Sequence, residues 1–445
     1  MKSENIAAIS TPAGRGGVAV IRLSGDSPLQ VAEKMFSPSG KTQVKNFQPY
    51  RMYPGEIEAE HFKDFGLCVY FKAPHSFTGE DVVEFHCHGG TSIARGILSR
   101  ALSLGCRGAE RGEFTKRAFL NGKLSLSSAE GLIDMINAES EAEVRAGYLL
   151  YGERLSREAD ALQAEITEIL AGIDADMDFP EEDIEHTDLS DIKERMQKLG
   201  KELAKLLETY RAGSKIKQGV NAVIAGRPNT GKSSLLNALL SRDKAIVSSV
   251  PGTTRDIVEG TLEIGGVRFN LFDTAGIRDS DNEIESIGIA RARSLIEGAD
   301  LVLFVLDGSE KMSEEDREIY RQVEDKPKIV VSNKNDLEAD GGEKCDIRVS
   351  AKTGENIAAL KAMMLEKSMA GCDTDAAFLI EKRHFDALSG ALAEVKEAEM
   401  LCGKVPLDLL GVHLKAAWDR LGEISGKTAA EEIINEIFAK FCVGK

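Results

Sequence analysis

The sequence has no apolar run approaching the ~20 residues that a membrane-spanning helix requires. Its start, MKSENIAAIS, lacks the apolar core of a secretory signal peptide. The 7 cysteines are scattered and never form a C-x-x-C pair, which argues against a disulfide framework and for reduced thiols. We therefore expect a cytoplasmic protein with no membrane contact.

Positive charge is outnumbered, with 56 Lys and Arg against 73 Asp and Glu, and there is no internal repeat or low-complexity tract. The net charge of −17 argues against broad, nonspecific binding of nucleic acid. That charge is uneven: residues 1–118 carry 15 Lys and Arg against 12 Asp and Glu, whereas residues 119–215 carry 11 against 22. Any contact with RNA must therefore be local.

The length of 445 residues, with 42% hydrophobic and 29% charged residues, predicts two or three domains. Residues 1–118 read as mixed α and β, and residues 119–216 as helical. Residues 217–368 alternate β-rich runs with helices, and residues 369–445 are helical again. The simplest topology is a nucleotide-binding α/β domain inserted into a split α-helical domain, behind an α+β N-terminal domain.

Two long helices are predicted in the first helical part. One face of the first carries Ile166, Ile169, Leu170, Ile173 and Met177. The second covers LSDIKERMQKLGKELAKLLETYRAG, with Ser190 as its N-cap and Gly213 as its stop. The acidic run EEDIEH, residues 181–186, is interpreted as a solvated loop.

The stretch VNAVIAGRPNTGKSSLLNALL contains a G-x-x-x-x-G-K-S motif between an apolar strand and an apolar helix. Its glycines, Gly226 and Gly231, allow backbone N–H groups to face phosphates, while Lys232 reaches the β- and γ-phosphates and Ser233 binds Mg²⁺. The nucleotide contacts predicted from this loop are Asn229, Thr230, Gly231, Lys232, Ser233 and Ser234.

Two switch segments are predicted to follow the phosphate loop. PGTTRD, residues 251–256, offers Thr254 as a second Mg²⁺ ligand, and Thr253 and the preceding Ser248 are predicted to lie near the nucleotide. A strand, a Gly-Gly turn and a second strand then lead to Asp273, which acts on Mg²⁺ through water. The contacts predicted from this second switch are Asp273, Thr274, Ala275 and Gly276, whose N–H senses the γ-phosphate.

Two motifs after further buried strands predict guanine as the base. Asn333, Lys334 and Asp336 come from NKND, and the Asp336 carboxylate suits the N1–H and 2-amino donors of guanine, which adenine lacks. Ser350, Ala351 and Lys352 form SAK, whose backbone can contact the guanine oxygen. Five elements in the correct order predict a Ras-like P-loop GTPase domain.

Ile277 stands where many GTPases carry the Gln that orients the attacking water. The chain is then either a switch that hydrolyses GTP poorly or a catalyst built differently. In GTPases that carry an Asn at the phosphate-loop position of Asn229, a K⁺ ion can replace an arginine finger. In this chain, backbone carbonyls of SSVPGTT could complete the coordination of that ion. For the water, spacing alone does not choose among the carboxylates of Asp279, Asp281, Glu283 and Glu285.

Seven stretches spread over the whole chain form a distinctive set: GRPNTGKSSLLNALL, VPGTTRD, DTAGIRDSDNEIESIGI, TPAGRGGVAVIRLSG, SFTGEDVVEFHCHGG, GEFTKRAFLNGKLSLSSAE and above all the terminal FCVGK. By these stretches the whole chain resembles the MnmE (TrmE) family of tRNA-modification GTPases. The resemblance implies an N-terminal domain that binds formyl- or methylene-tetrahydrofolate and forms a homodimer. It also implies that a flavoprotein, MnmG (GidA), is the partner in adding an aminomethyl or carboxymethylaminomethyl group to carbon 5 of the wobble uridine of certain tRNAs.

Further site residues follow from the resemblance alone. It implies Glu285 as the residue that orients water, and Cys442 in the modification reaction, with a small buried hydrophobe as the alternative for Cys442. The implied K⁺ ligands are Asn229, Ser248, Val250 and Thr253, and the implied Mg²⁺ ligands are Ser233 and Thr254. The implied folate contacts are Arg22, Glu84, Lys123 and Lys445, whose charges suit the pterin and carboxylates of folate.

Other classes of function stay open. One is a ribosome-assembly switch like the Era-type GTPases, although the sequence shows no KH-like G-x-x-G loop and no basic C-terminal module. Another is a scaffold that only docks the flavoprotein. His86, Cys87 and His88 could suggest a metal site, but neighbours on a strand alternate faces, which favours packing.

Overall fold

The computed structural model describes residues 3–178, 189–240, 260–274, 294–337, 344–370 and 380–445. The chain forms two compact units. The first contains Met1–Ile133, Leu150–Met196 and Ala393–Lys445, and the second contains Asp134–Leu149 and Gln197–Leu392. The three boundaries drawn from the sequence between its four segments stay predictions.

The first unit contains a seven-stranded mixed sheet of order β3-β4-β5-β6-β2-β1-β7. Its strands are β1 Ile6–Ile9, β2 Val18–Gly25, β3 Phe36–Pro38, β4 Met52–Glu58, β5 Lys63–Phe71, β6 Asp81–His88 and β7 Arg107–Gly108. Neighbours are antiparallel except β1 and β7. Along β4, buried and exposed residues alternate strictly, as expected when one face packs on a core and the other does not.

Helices cover much of the remaining chain. They are α1 Pro28–Glu33, α2 Thr91–Ser103, α3 Glu113–Leu120, α4 Leu126–Asn137, α5 Glu141–Tyr151, α6 Arg154–Asp178, α7 Leu189–Gln218, α8 Lys232–Leu240, α9 Glu314–Gln322, α10 Ile357–Ser368, α11 Lys382–Leu401, α12 Leu407–Ser425 and α13 Glu431–Ala439. A 3₁₀ turn spans Val44–Asn46. Within the parts of the chain that the structure describes, no helix is both long and apolar enough to cross a membrane.

In the first unit, α6 and α12 pack against each other in antiparallel orientation. Gln163 Nε2 on α6 donates to the Trp418 carbonyl on α12 (2.8 Å). Leu170, which comes later in the sequence on α6, lies against Gly411, which comes earlier in the sequence on α12. The predicted face of α6 is confirmed at Ile166, Ile169 and Ile173, which are buried. Met177 is exposed and is not part of that buried face.

The predicted cap and stop of α7 are wrong. Ser190 is the second residue of the helix, and the helix continues past Gly213 to Gln218. A glycine inside a helix costs about 1 kcal/mol relative to alanine. Ala212 and Ile216, on either side of Gly213, are both buried, and the burial of this apolar surface outweighs that cost.

The second unit contains a six-stranded sheet of order β13-β12-β11-β8-β10-β9. The strands are β8 Val220–Ala225, β9 Gly260–Ile264, β10 Val267–Asp273, β11 Leu301–Asp307, β12 Lys328–Asn333 and β13 Ile347–Arg348. All pairings are parallel except the β9–β10 hairpin. The C-terminal ends of β8, β10, β11 and β12 therefore lie along one edge, where α/β sheets bind ligands. The strands predicted around the nucleotide motifs are confirmed.

Candidate active site

The phosphate loop joins the end of β8 to the start of α8, as its sequence predicts. Gly226 and Gly231 have φ of 154° and 89°. A Cβ at Gly226 would lie 2.4 Å from the Val305 carbonyl, and one at Gly231 would lie 2.3 Å from Asn333 Nδ2. Both positions therefore exclude side chains, and the loop backbone can approach a ligand closely.

Side chains within the phosphate loop bond back to its own backbone. Lys232, which is buried, donates from Nζ to the carbonyl of Arg227 (2.9 Å). Thr230 Oγ1 donates to the same carbonyl (3.0 Å). Asn229 is exposed and adopts the left-handed conformation with φ 66°. These internal hydrogen bonds therefore brace the shape of the loop.

A hydroxyl and a carboxylate meet where Mg²⁺ is expected. Ser233 Oγ donates to Asp273 Oδ2 at 2.8 Å, which joins the start of α8 to the end of β10. Hard oxygen donors of this kind suit Mg²⁺. Thr274 instead donates through Oγ1 to the Ile224 carbonyl (3.0 Å), so its side chain supports the sheet. Ser234 is exposed on the first turn of α8.

The guanine motif is tied directly to the phosphate loop. Asn333, which is buried, donates from Nδ2 to the Thr230 carbonyl (2.9 Å) and accepts at Oδ1 from the Ala351 N–H (3.0 Å). Lys334 Nζ lies 2.6 Å from Asp307 Oδ2. Burial alone would raise the pKa of Asp307, but the hydrogen bonds from Lys334 and Ser309 hold this pKa below its usual range.

The carboxylate predicted to recognise guanine is held in its ionised form by its neighbours. Ser350 Oγ donates to Asp336 Oδ1 (2.7 Å), and Lys352 Nζ lies 3.9 Å from Asp336 Oδ2. The hydrogen bond from Ser350 is the largest cause that lowers the pKa of Asp336. The structure thus brings Asn333, Asp336 and the SAK segment together at one end of the phosphate loop.

Several predicted site residues lie outside the described residues. They are Ser248, Val250, Thr253, Thr254, Ala275, Gly276 and Glu285, together with Ile277 and the alternative carboxylates Asp279, Asp281 and Glu283. Their roles stay predictions.

A second polar site lies on the sheet of the first unit. Arg22 on β2 and Glu84 on β6 are register partners, and Arg22 Nε lies 2.7 Å from Glu84 Oε1. His86 Nε2 lies 3.2 Å from Glu84 Oε2, on the same face of β6. Burial opposes the charge on Glu84, but His86 and Arg22 together lower its pKa. The ionised pair is therefore stable in a mostly buried setting.

Aromatic rings complete the surroundings of Arg22. Its guanidinium lies over the rings of Phe77 (5.6 Å) and Phe114 (5.7 Å), within cation–π range. Sequence reasoning missed these neighbours and His86. The two-residue spacing of Glu84 and His86 on a strand was the signal that could have paired them. Lys123 is exposed and its side chain lies beside Gly79, in the loop that contains Phe77.

The C-terminal tail packs against the N-terminal part of the first unit. Gly444 accepts a hydrogen bond at its carbonyl from Ser10 Oγ (3.1 Å), and Val443 pairs with Arg111 in an antiparallel bridge. Lys445 follows as the last residue. Cys442 is exposed, so the alternative of a small buried hydrophobe is wrong for this residue.

The His-Cys-His stretch follows the alternation expected of a strand. Cys87 is buried, whereas His86 contacts Glu84 and His88 Nδ1 lies 2.6 Å from Asp64 Oδ1. Across the described ranges, no group of three or more His, Cys, Asp and Glu side chains is arranged to hold a metal ion.

Family models match nearly the whole chain. The model for the GTP-binding protein TrmE N-terminus matches residues 5–123, and that for the MnmE helical domain matches residues 126–442. The chain belongs to the MnmE (TrmE) family. It is therefore a GTPase, and the fold class predicted from the sequence is confirmed.

Curated MnmE proteins resemble this chain over its full length. The tRNA modification GTPase MnmE of Clostridioides difficile (strain 630) is 41% identical over 99% of both chains. That of Natranaerobius thermophilus is 39% identical over 100% of both, and that of Syntrophomonas wolfei is 40% identical over 100% of both. Among solved structures, an Aquifex aeolicus Era variant bound to GDP·AlF₄⁻ is 28% identical over 39% of this chain and 66% of that chain, with a TM-score of 0.27.

Proposed function

We propose that this MnmE-family chain acts with a flavoprotein of the MnmG (GidA) type on tRNA. The pair would add an aminomethyl or carboxymethylaminomethyl group to carbon 5 of the wobble uridine, using a one-carbon unit of tetrahydrofolate. The observation that carries this proposal is the full-length similarity to curated tRNA modification GTPases. A cytoplasmic location and a homodimer through the N-terminal domain belong to the same proposal.

In the nucleotide site, each described residue has a chemical task that its contacts support. Lys232 would leave the Arg227 carbonyl for the β- and γ-phosphates. Ser233 would ligate Mg²⁺ directly, and Asp273 would act through water. Asp336 would accept from guanine N1–H and the 2-amino group, beside the backbone of Ala351.

Hydrolysis would use K⁺ and Glu285 in place of the missing Gln. Asn229 supports this proposal because its side chain is exposed on a loop whose backbone is already turned. The remaining K⁺ ligands would be Ser248, Val250 and Thr253, with Thr254 on Mg²⁺. Compact cation charge near the β- and γ-phosphates stabilises the transition state as an arginine finger does.

GTP turnover of the full-length chain in KCl and in NaCl tests the ion and the water-orienting residue. We expect faster turnover in KCl, and a loss of about a hundredfold or more in kcat for Glu285→Ala. Asp325→Asn, an exposed change in the same unit, serves as the control. Equal rates in the two salts would remove the K⁺ proposal, and undiminished turnover of Glu285→Ala would remove that assignment.

Folate would bind at the polar site of the first unit. The carboxylate of Glu84 suits pterin N–H donors, whereas Arg22, Lys123 and Lys445 suit the carboxylates of folate. Phe77, which is exposed, adds apolar surface beside Arg22, while the buried Phe114 supports the arginine from below. Calorimetric titration with 5-formyltetrahydrofolate should show binding that Glu84→Gln weakens by about tenfold or more.

The modification itself is tested on tRNA from cells that lack the gene. Mass spectrometry of wobble nucleosides should show loss of the aminomethyl-type group, restored by the wild-type chain. A Cys442→Ser chain should restore less of the group, because the exposed thiol is proposed to take part. Unchanged nucleosides in the deletion strain would exclude a role in modification.

A further inference from the structure

The second residue of the phosphate loop has its side chain bound to another part of the fold. Arg227 Nε lies 3.2 Å from Asp316 Oδ2, and its Nη2 donates to Glu310. Asp316 is 2% exposed and Glu310 is 57% exposed. The hydrogen bond of the guanidinium goes to Glu310, and the contact with Asp316 is an ion pair without a hydrogen bond. Because an exposed ion pair contributes little and a buried one is costly to break, loss of the contact with Asp316 is expected to cost more.

Asp316 is held in place by the start of helix α9. Its Oδ2 accepts from the N–H (2.9 Å) and the hydroxyl (2.7 Å) of Ser313, and its own N–H donates to Ser313 Oγ (3.2 Å). This reciprocal capping box begins α9. The position of the Asp316 carboxylate is therefore fixed by Ser313, independently of its contact with Arg227.

The backbone of Arg227 organises the phosphate loop. Its carbonyl accepts from both Thr230 Oγ1 and Lys232 Nζ, and the following Pro228 restricts the chain further. The guanidinium is engaged by two carboxylates, so it is not directed at the phosphates. Any effect of the side chain on GTP must pass through the loop.

We propose that the Arg227–Asp316 ion pair is a positioning device that pre-forms the phosphate loop for nucleotide binding. A loop whose N–H groups converge on a phosphate loses conformational freedom when it closes, and a loop held in shape beforehand loses less. The pair lowers this cost equally for GDP, for GTP and for the transition state. Its loss therefore raises KM and Kd and spares kcat at saturation.

The closest alternative is that Asp316 acts only as the cap of α9. Ser313→Ala separates the two roles, because it removes the hydroxyl of the capping box while the Ser313 N–H still anchors the Asp316 carboxylate. Asp316→Asn removes the charge that meets Arg227. Arg227→Ala removes the other partner and leaves the cap intact.

The test measures the affinity of the full-length chain for fluorescent N-methylanthraniloyl-GDP, and KM and kcat for GTP. We expect Arg227→Ala and Asp316→Asn each to raise Kd and KM by about tenfold. We expect kcat to stay within about twofold, and the double variant to be no worse than Arg227→Ala, because both changes break one interaction. Ser313→Ala should lower the melting temperature and leave Kd within about twofold of wild type.

The proposal would be overturned by results of two kinds, one from the cap variant and one from the Arg227 variants. One is a Kd of Ser313→Ala as high as that of Asp316→Asn, which would assign the effect to the cap. The other is an unchanged Kd, or a fall in kcat alone, for Arg227→Ala. If Arg227→Ala does not fold, Arg227→Lys replaces it, with an expected rise in Kd of about threefold because lysine pairs less well with a fixed carboxylate; an unchanged Kd there overturns the proposal as well.

Discussion

At the scale of single residues, one hydrogen bond is the largest cause of the lowered pKa of the carboxylate proposed to bind guanine. Ser350 donates to Asp336 and keeps its pKa below the usual range. A lowered pKa means that the carboxylate stays ionised, and able to accept from guanine, as the pH falls. Removing the hydroxyl of Ser350 should let this pKa rise, so that the loss of affinity begins at a higher pH.

We therefore expect Ser350→Ala to shift the acidic limb of GTP binding upward, measured as Kd against pH. Asp336→Asn should weaken GTP binding by about a hundredfold or more, since buried guanine donors lose their acceptor. The same change should favour xanthosine triphosphate, whose C2 carbonyl accepts from the new amide. Asp325→Asn is the exposed control. A GTP Kd that is unaltered in Asp336→Asn would contradict the assignment.

Single residues of the nucleotide site also show how far prediction from the sequence can go. The motif residues Lys232, Asn333 and Asp336 were predicted because short motifs state which atoms face the nucleotide. Arg227 and Asp316 were not, because their contact joins positions far apart in the chain, and nothing in a single sequence pairs a particular arginine with a particular aspartate.

At the scale of elements, the β9–β10 hairpin is tied to the N-terminal turn of α5. Arg268 on β10 pairs with two glutamates: its Nη1 lies 2.5 Å from Glu139 Oε2, and its Nε lies 3.4 Å from Glu143 Oε1. The Ala142 N–H donates to the Gly266 carbonyl in the hairpin turn (2.9 Å). Burial raises the pKa of Glu143, so its ionised form depends on the nearby cation.

Arg268→Ala should therefore destabilise the chain by about 2 to 4 kcal/mol, because the buried Glu143 carboxylate loses its cationic partner. Urea-induced unfolding of the full-length chain measures this change. Arg268→Ala/Glu143→Gln should recover a large part of the loss, whereas Arg317→Ala, which breaks an exposed pair with Glu314, should cost under about 0.5 kcal/mol. A double variant as unstable as the single one would contradict this explanation.

Elements themselves were predicted unevenly. The strands around the nucleotide motifs were predicted correctly, because buried parallel strands are continuous apolar runs bounded by glycine and polar residues. The end of α7 was not, because Gly213 is a helix stop only in the absence of packing, and Ala212 and Ile216 are buried. At such positions, the burial of neighbouring apolar side chains outweighs the low helix propensity of glycine.

At the scale of the whole molecule, the tail and the GTP site lie in different compact units. Gly444 has φ 96°, and a Cβ there would lie 2.3 Å from the Ile9 carbonyl. Gly444→Ala should therefore displace the tail that carries Cys442 and Lys445. Since the described GTP-site residues belong to the other unit, basal GTP turnover should persist.

We expect Gly444→Ala to reduce restoration of the wobble modification in a deletion strain, with kcat for GTP within about twofold of wild type. Gly403→Ala is the matched control, because Gly403 also has a positive φ, of 75°, yet a Cβ there would meet nothing within 4 Å. Full restoration by Gly444→Ala would show that the tail position is not required.

The sequence alone determined that the chain is a GTPase, where the strands around the nucleotide motifs lie, and the family resemblance. Each of these depends on residues close in sequence, whose spacing and periodicity are set by backbone geometry. Tertiary structure decided that Arg22 meets Glu84, that the tail packs beside Ser10, that α7 continues to Gln218 and that Asp316 holds Arg227. These contacts join distant positions, and only the burial of apolar surface in the folded chain brings such positions together.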